Sequence, residues 1–166
     1  MRLLRAALVA LLALSLAGCG WHLRGSSPGG QGLEDAAIVL DSRLEDPTLE
    51  RLVRRELATA GARVLSSGAP ADASVELLSE SLGQRITSVT AGADVRQYDL
   101  TYTLGYRVRS SDETAADAER AVRATRTYQA DPNDPLVNQS RRERAAEELR
   151  TEAVSQLIAN IGAALR

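Results

Sequence analysis

The stretch YDLTYTLGYRV, residues 98–108, alternates apolar and polar side chains along its whole length. The apolar positions are Tyr98, Leu100, Tyr102, Leu104, Tyr106 and Val108. The positions between them are Asp99, Thr101, Thr103, Gly105 and Arg107. Successive side chains of a β-strand point to opposite faces, so this period of two predicts a long strand with one buried face and one small, polar face.

The neighbouring segments predict strands that pair with this one. Residues 110–117, SSDETAAD, indicate a turn, and residues 118–128 predict a partner strand. Residues 75–86 are ambiguous because some of their apolar side chains also have helical spacing. Those side chains are Val75, Leu78, Leu82 and Ile86. We favour a strand with a bulge near Leu77 and Leu78, since one extra residue would explain why the apolar positions change parity there.

The remaining segments predict two helices and two short strands. Asp46 and Pro47 have the residue types of an N-cap and a first helical position, and this helix is expected to end at Gly61. The last helix is expected to open at the capping box Ser140-Arg141-Arg142-Glu143, after a break at residues 131–135. Residues 37–40 are expected to form a short buried strand, and residues 62–65 a second short strand.

The order of the predicted elements is β-α-β-β-β-β-α. Strands that run together in the middle of a chain, with a helix near each end, are typical of an α+β fold. We therefore expect a two-layer sandwich in which both helices pack on one face of a mostly antiparallel or mixed sheet. The length of residues 35–166 suits a single domain with its own core.

Residues 1–18, MRLLRAALVALLALSLAG, have the layout of a secretory signal peptide. Arg2 and Arg5 give a positive start, and the apolar run that follows is shorter than the roughly 20 residues that a membrane-spanning helix needs. Small residues then lead to Cys19, the only cysteine. The sequence LAGC at residues 16–19 fits the bacterial lipobox, in which the cysteine thiol receives a diacylglycerol and the chain is cut before it. The alternative is an ordinary signal peptide with a cysteine there by chance.

Lipidation of Cys19 would decide where the mature chain resides. Two or more acyl chains, palmitate among them, hold a protein on a membrane far better than one. Gly20 occupies the position where aspartate would retain a lipoprotein at the inner membrane, so the expected location is the outer membrane. Residues 19–34 are then the lipidated cysteine with a flexible linker rich in Gly, Ser and Pro.

Composition and motifs argue against several functions. The net charge is −2, which does not suit a nucleic-acid binder, because such proteins are normally basic with a clustered patch. His22 is the only histidine and lies three residues from Cys19. The sequence has no nucleophile elbow, no Cys/His cluster with metal spacing and no phosphate-binding loop. Asp131 and Asp134 each precede a proline, which favours turn chemistry over a catalytic carboxylate pair.

We therefore expect a binding or assembly protein that is not an enzyme and needs no metal or cofactor. A lipid-anchored hydrolase is the alternative from another class, and the lack of a histidine in the domain argues against it.

The chain resembles the LptE family of lipopolysaccharide-assembly lipoproteins in two segments, CGWHLRG at residues 19–25 and RATRTYQADPNDPLVNQSRRERAAEELRTEAVSQLIANI at residues 123–161. The resemblance implies two helices on one face of a sheet of about four strands. It also implies a periplasm-facing plug inside the large outer-membrane β-barrel LptD, which places lipopolysaccharide (LPS) in the outer leaflet. The runner-up is an accessory lipoprotein of another outer-membrane complex, for barrel assembly or ABC-type lipid transport.

The resemblance also implies roles for particular residues. The membrane-proximal motif Trp21, His22, Leu23 and Arg24 would lie where the anchor meets lipid headgroups or the lower rim of the barrel. The polar face of residues 98–108 would lie against a polar barrel lumen, although plain exposure to solvent explains the pattern equally well.

Four arginines are candidates for binding LPS phosphates, because a guanidinium can donate two hydrogen bonds to one phosphate. Arg85 and Arg96 flank the loop at residues 88–94, whose tip at residues 90–93 carries no cation. Arg141 and Arg142 lie at the expected start of the last helix, where the helix N-terminus also attracts anions. The alternative is that all four are solvated surface residues.

Overall fold

A computed structural model describes residues 32–89, 95–110, 118–131 and 133–165. Five strands and two helices are present in this part of the chain. They are β1 (Ala37–Ser42), α1 (Pro47–Thr59), β2 (Arg63–Leu65), β3 (Ala73–Val89), β4 (Val95–Ser110), β5 (Arg120–Gln129) and α2 (Pro135–Ala164). Residues 1–31 lie outside the described part, so the signal peptide, the lipidation of Cys19, the motif at residues 21–24 and the linker stay predictions.

The five strands form one mixed sheet in the order β2-β1-β3-β4-β5. β1 pairs in parallel with both β2 and β3, whereas β3, β4 and β5 pair with one another in antiparallel fashion. Both helices pack on one face of this sheet, which confirms the predicted α+β two-layer fold. The sheet has five strands rather than the four or so that the family resemblance implies, and this agrees with the element order read from the residues.

The segment that could have been helix or strand is a strand with a bulge. β3 pairs with β4 along its length, and the register shifts between Leu77, which lies opposite Tyr106, and Ser79, which lies opposite Gly105. Leu78 is therefore the extra residue, as the change in parity predicts. The bulge keeps Leu77 and Leu82 on the same face although five positions separate them.

The core lies between the sheet and the two helices. α1 contributes Leu49, Val53 and Leu57, and the sheet contributes alternate residues of its central strands. The buried side chains of α2 are Ala145, Leu149, Ala153, Val154, Leu157, Ile158 and Ile161. The hydroxyl of Tyr106 is satisfied inside this core because it accepts a hydrogen bond from Asn160 Nδ2 at 3.0 Å. Tyrosine rings and aliphatic side chains thus fill the core in the absence of phenylalanine.

The start of α2 differs from the expectation. The helix begins at Pro135, and Asp134 caps it by accepting a hydrogen bond from the backbone nitrogen of Val137 at 3.0 Å. Ser140 is therefore inside the helix, and the capping-box prediction was wrong. The physical reason is that aspartate followed by proline already supplies a side-chain acceptor and a fixed backbone angle for the first turn. Asp46 and Pro47 start α1 in the same way, as predicted.

The two possible helix starts can be separated by substitution. We expect Asp134→Ala to lower the free energy of unfolding by about 1 kcal/mol, because a backbone donor of the first turn loses its acceptor. Ser140→Ala, the matched control, should leave stability unchanged or raise it by a few tenths of a kcal/mol, since alanine is the better helix former. Urea unfolding of both variants, in a version that begins at Gly20, measures the difference. A larger loss for Ser140→Ala would contradict this assignment.

Candidate functional site

The sheet is longer at β3, β4 and β5 than at β1. β1 ends at Ser42, opposite Leu77, while β3 continues to Val89 with β4 as its partner. Residues 79–89, 95–105 and 120–129 therefore form a three-stranded extension, which we call the distal arm. The arm has two faces of different chemistry: an outer face, which neither helix covers, and a helix-facing side.

The outer face of the arm is polar, and most of its side chains are short. It carries Ser81, Gly83, Arg85, Asp99, Thr101, Thr103, Arg123, Thr125 and Thr127. Hydroxyl groups link neighbouring strands, with Thr101 Oγ1 and Thr125 Oγ1 at 3.0 Å and Thr127 Oγ1 donating to Asp99 Oδ1 at 2.6 Å. A shallow groove of about 490 Å³ runs across these residues. The predicted exposed polar face of residues 98–108 is thus the middle of a polar surface three strands wide.

Asp99 is the carboxylate at the distal end of this polar surface. It accepts hydrogen bonds from Thr127 and, at 3.2 Å, from the guanidinium of Arg85. The Thr127 hydrogen bond, followed by that from Arg85, lowers the pKa of the Asp99 carboxyl below its ordinary value. Arg85 therefore reaches solvent from the outer face with its guanidinium positioned by a carboxylate. Sequence reasoning missed Asp99, because its partners are brought to it by strand pairing.

The helix-facing side of the arm is apolar at its distal end and more polar nearer to β1. Tyr98 and Tyr128 stack with ring centroids 5.3 Å apart, beside the exposed side chain of Ile86. Tyr102 is buried, and its hydroxyl donates to Glu80 Oε2 at 2.7 Å. Burial, with the adjacent Glu80, raises the pKa of this hydroxyl, which therefore stays protonated at neutral pH. The guanidinium carbon of Arg150 on α2 lies 6.0 Å from the centre of the Tyr102 ring.

The four predicted LPS-binding arginines lie at one end of the arm but not on one face. Arg85 is on the outer face, and Arg96 lies in β4 with its side chain outside the described part. Arg141 Nη1 donates to the carbonyl oxygen of Gln129 at 2.9 Å, which ties α2 to the end of β5. Burial raises the pKa of the Tyr128 hydroxyl, and the nearby positive charge of Arg142 acts in the opposite direction.

The corrected start of α2 changes the setting of two of these residues. Arg141 and Arg142 lie in the second turn rather than at the N-terminus of the helix. Their backbone groups are therefore not the free donors of a first turn, and only their side chains are available to an anion. The expected help from the helix N-terminus was wrong for both residues.

Residues 32–89, 95–110, 118–131 and 133–165 hold neither a metal-binding cluster nor a membrane-spanning helix. No group of three or more His, Cys, Asp and Glu side chains there is arranged to hold a metal ion. None of the described helices combines the length and the apolar character needed to cross a membrane.

A family model for LptE, described as lipopolysaccharide-assembly, matches residues 37–161 of this chain, from the first strand to near the end of α2. The chain belongs to the LptE family. LptE proteins are membrane-associated lipoproteins that take part in LPS assembly and are not enzymes. The match covers both helices and all five strands, so the assignment rests on the whole fold rather than on one motif.

Individual LptE-like proteins agree with this assignment. The LPS-assembly lipoprotein LptE of Pectobacterium atrosepticum is 28% identical over 149 residues, which are 89% of this chain and 79% of that protein. The crystal structure of the rare lipoprotein B from Shewanella oneidensis has a TM-score of 0.69 at 22% identity and covers 77% of this chain and 95% of its own. The solution structure of an uncharacterized lipoprotein B from Nitrosomonas europaea has a TM-score of 0.66 at 20% identity, covering 87% and 91%. At these identities the two structures show a shared fold.

The low pKa of Asp99 predicts a pH dependence of stability. A carboxyl whose pKa is lower in the folded than in the unfolded chain stabilises the fold above the unfolded value, and this contribution disappears as the pH falls through the folded value. We expect Asp99→Asn to be less stable than the parent at pH 7, with the difference shrinking as the pH falls below the ordinary value of 3.8.

Two further variants identify the cause of this effect. Thr127→Val should reproduce more of the loss than Arg85→Gln, because the hydroxyl contributes most to the lowered pKa. Urea unfolding between pH 7 and pH 3 measures all three variants against the parent. A difference between Asp99→Asn and the parent that is constant over this range would contradict the assignment.

Proposed function

We propose that this LptE-family chain is an outer-membrane lipoprotein that plugs an LptD-type β-barrel and helps to place LPS in the outer leaflet. The observation that carries the proposal is the outer face of the distal arm, which neither helix covers and which is lined by hydroxyl groups. A water-soluble partner protein is not needed to explain this polar face. A barrel wall of similar polarity matches its chemistry.

The shape and chemistry of the outer face support contact with a barrel interior. The interior of a large membrane barrel is polar, and side chains that line it alternate with those that face lipid. Thr101, Thr103 and Thr125 are short, so they let a flat sheet approach such a wall closely. Their hydroxyls can both donate and accept hydrogen bonds, which lets them match either kind of group on the partner.

The anchor completes the proposed arrangement. Lipidated Cys19 would hold the chain on the periplasmic leaflet of the outer membrane, with Trp21 and His22 at the headgroup level and Leu23 and Arg24 next to them. The domain enters the sheet at β1, at the opposite end from the distal arm, because Ile38 pairs with Ala73 at the start of β3. The arm therefore extends away from the point at which the chain arrives.

Contact with LPS phosphates is assigned to the arginines at the distal end of the arm. Arg85, Arg96, Arg141 and Arg142 come from β3, β4 and α2, and the carboxylate of Asp99 positions Arg85. A guanidinium donates two parallel hydrogen bonds to a phosphate and keeps its charge at any physiological pH. Arg142 is the most direct candidate on the helix-facing side, since Arg141 already donates to the carbonyl oxygen of Gln129.

The barrel partner is tested by pull-down of the tagged full-length lipoprotein from native outer membranes in mild detergent. We expect recovery of one large LptD-type β-barrel in equal amount. Thr101→Trp combined with Thr125→Trp should lower this recovery about tenfold, because bulky rings hold two flat surfaces apart at a cost of 1–3 kcal/mol or so.

The matched control places the same rings on the helices, as Ala58→Trp with Ala163→Trp, two exposed positions. This control should recover the barrel as the parent does. Recovery of a barrel-assembly or ABC-type transport machine instead would favour the runner-up function, and equal losses in both double variants would remove the outer face from the interface.

LPS contact is tested by charge reversal. We expect Arg141→Glu with Arg142→Glu to weaken LPS binding by the full-length protein by an order of magnitude or so, since two charge-assisted hydrogen bonds become repulsive contacts. Both side chains are exposed, so the fold should persist. Arg51→Glu with Arg55→Glu on α1 makes the same change in charge on another surface and should bind as the parent does. Unchanged binding by the Arg141/Arg142 variant would remove these residues from the site.

A further inference from the structure

The distal half of β3 has an uncovered helix-facing side. The backbone nitrogen of Arg43 donates to the carbonyl oxygen of Leu77 at 2.9 Å, and after this point the chain turns away into α1. α1 then packs on β1 and β2, and α2 packs chiefly on β4 and β5. Beyond Leu77, β3 therefore has β4 beside it on one edge, and α1 and α2 pack mainly on other strands.

An apolar strip follows this uncovered side. Leu82 and Ile86 are 36% and 53% exposed, although aliphatic side chains of this size are usually buried in a domain with a continuous core. They lie opposite Tyr102 and Tyr98 in the pairing with β4, and Tyr98 stacks on Tyr128. The strip from Leu82 to Ile86 is about 14 Å long at the rise of a β-strand.

The two ends of the strip differ in charge. At the inner end Glu80, Tyr102 and Arg150 form a cluster, in which the Tyr102 hydroxyl donates to Glu80 and the Arg150 guanidinium contacts the Tyr102 ring. At the distal end the exposed residues Arg141 and Arg142 lie next to the end of β5, with the charge of Arg142 near Tyr128. An elongated apolar surface with cations at one end matches a molecule that has an anionic head and a hydrocarbon tail.

We propose that this strip binds a fatty acyl chain of LPS, with the phosphate end of the molecule at Arg142 and the tail directed towards Glu80. The inference rests on the proposed contact between the distal arginines and LPS and adds a second subsite to it. Hydrocarbon gains free energy from leaving water and needs no hydrogen-bond partners. Leu82 and Ile86 suit that requirement, with the stacked rings of Tyr98 and Tyr128 beside them, and Gln84 is the one polar side chain of β3 between the two.

The alternation of β3 provides a sharp test. Residues 82, 84 and 86 face the helix side, while residues 81 and 83 of the same strand face outwards. A photo-crosslinking benzophenone amino acid is placed at each of these five positions, and separately at position 142, in the full-length protein in its own cells. After irradiation, adducts are detected with an antibody to LPS, and the mass of the hydrolysed peptide adduct distinguishes acyl chain from sugar.

We expect LPS adducts on acyl chains at positions 82, 84 and 86, at roughly tenfold the level at positions 81 and 83, in line with one well-buried aliphatic contact. All five positions lie on exposed parts of one strand, so a variant that fails to accumulate is replaced by its neighbour on the same face.

The other outcomes overturn the proposal in distinguishable ways. Adducts at 82, 84 and 86 with a barrel protein, with a second copy of this chain or with a phospholipid would show a different occupant. LPS adducts at position 142 without any at 82, 84 and 86 would refute the acyl subsite and leave the phosphate contact standing. No LPS adduct at any position would contradict both the subsite and the proposed direct contact with LPS.

Discussion

The antiparallel pairing of β3 with β4 is the constraint on which the rest of the structure depends. It runs from Ala73 opposite Ser110 to Val89 opposite Val95, and it is the longest strand pairing in the described chain. β1 reaches only as far as Leu77, so the pairing itself creates an arm that projects beyond the parallel part of the sheet. α2 supports this arm from one side because its buried side chains pack on β4 and β5, and the remaining surfaces of the arm stay accessible.

The bulge at Leu78 separates two stretches of the pairing, and leucines of β3 face the helices in both. At this point the side chain of Ser79 comes close to Gly105, where a Cβ atom would lie 2.6 Å from Ser79 Oγ. A residue without a side chain therefore suits this position. With the extra residue in place, the apolar positions on both sides of the bulge, Leu77 and Leu82, share the helix-facing side. One inserted residue thus keeps Ser79 and Ser81 on the outer side, so that serines rather than leucines face away from the helices there.

Local patterns in the sequence predict much of this fold because they are themselves local. The period of two in residues 98–108 and the change of parity at Leu78 both follow from how a strand alternates its side chains. The sequence offers two competing cap signals within seven residues, the capping box at Ser140 and Asp134 with Pro135, and only the second starts α2. The Asp-Pro pair at residues 46–47 starts α1 by the same mechanism, so the information was present in the sequence.

The candidate site could be predicted only in part, because its chemistry depends on residues that are distant in sequence. Arg85 is recognisable as an exposed cation, but its contact with Asp99 follows from the register of β3 and β4, which the alternation alone does not fix. The exposure of Leu82 and Ile86 is likewise invisible in the sequence, where both read as ordinary core residues. Their exposure depends on where β1 ends, and hence on a strand to which neither residue belongs. A function that depends on surfaces rather than on a catalytic group therefore depends mainly on the relative lengths of the paired strands, because these lengths determine which surfaces are exposed.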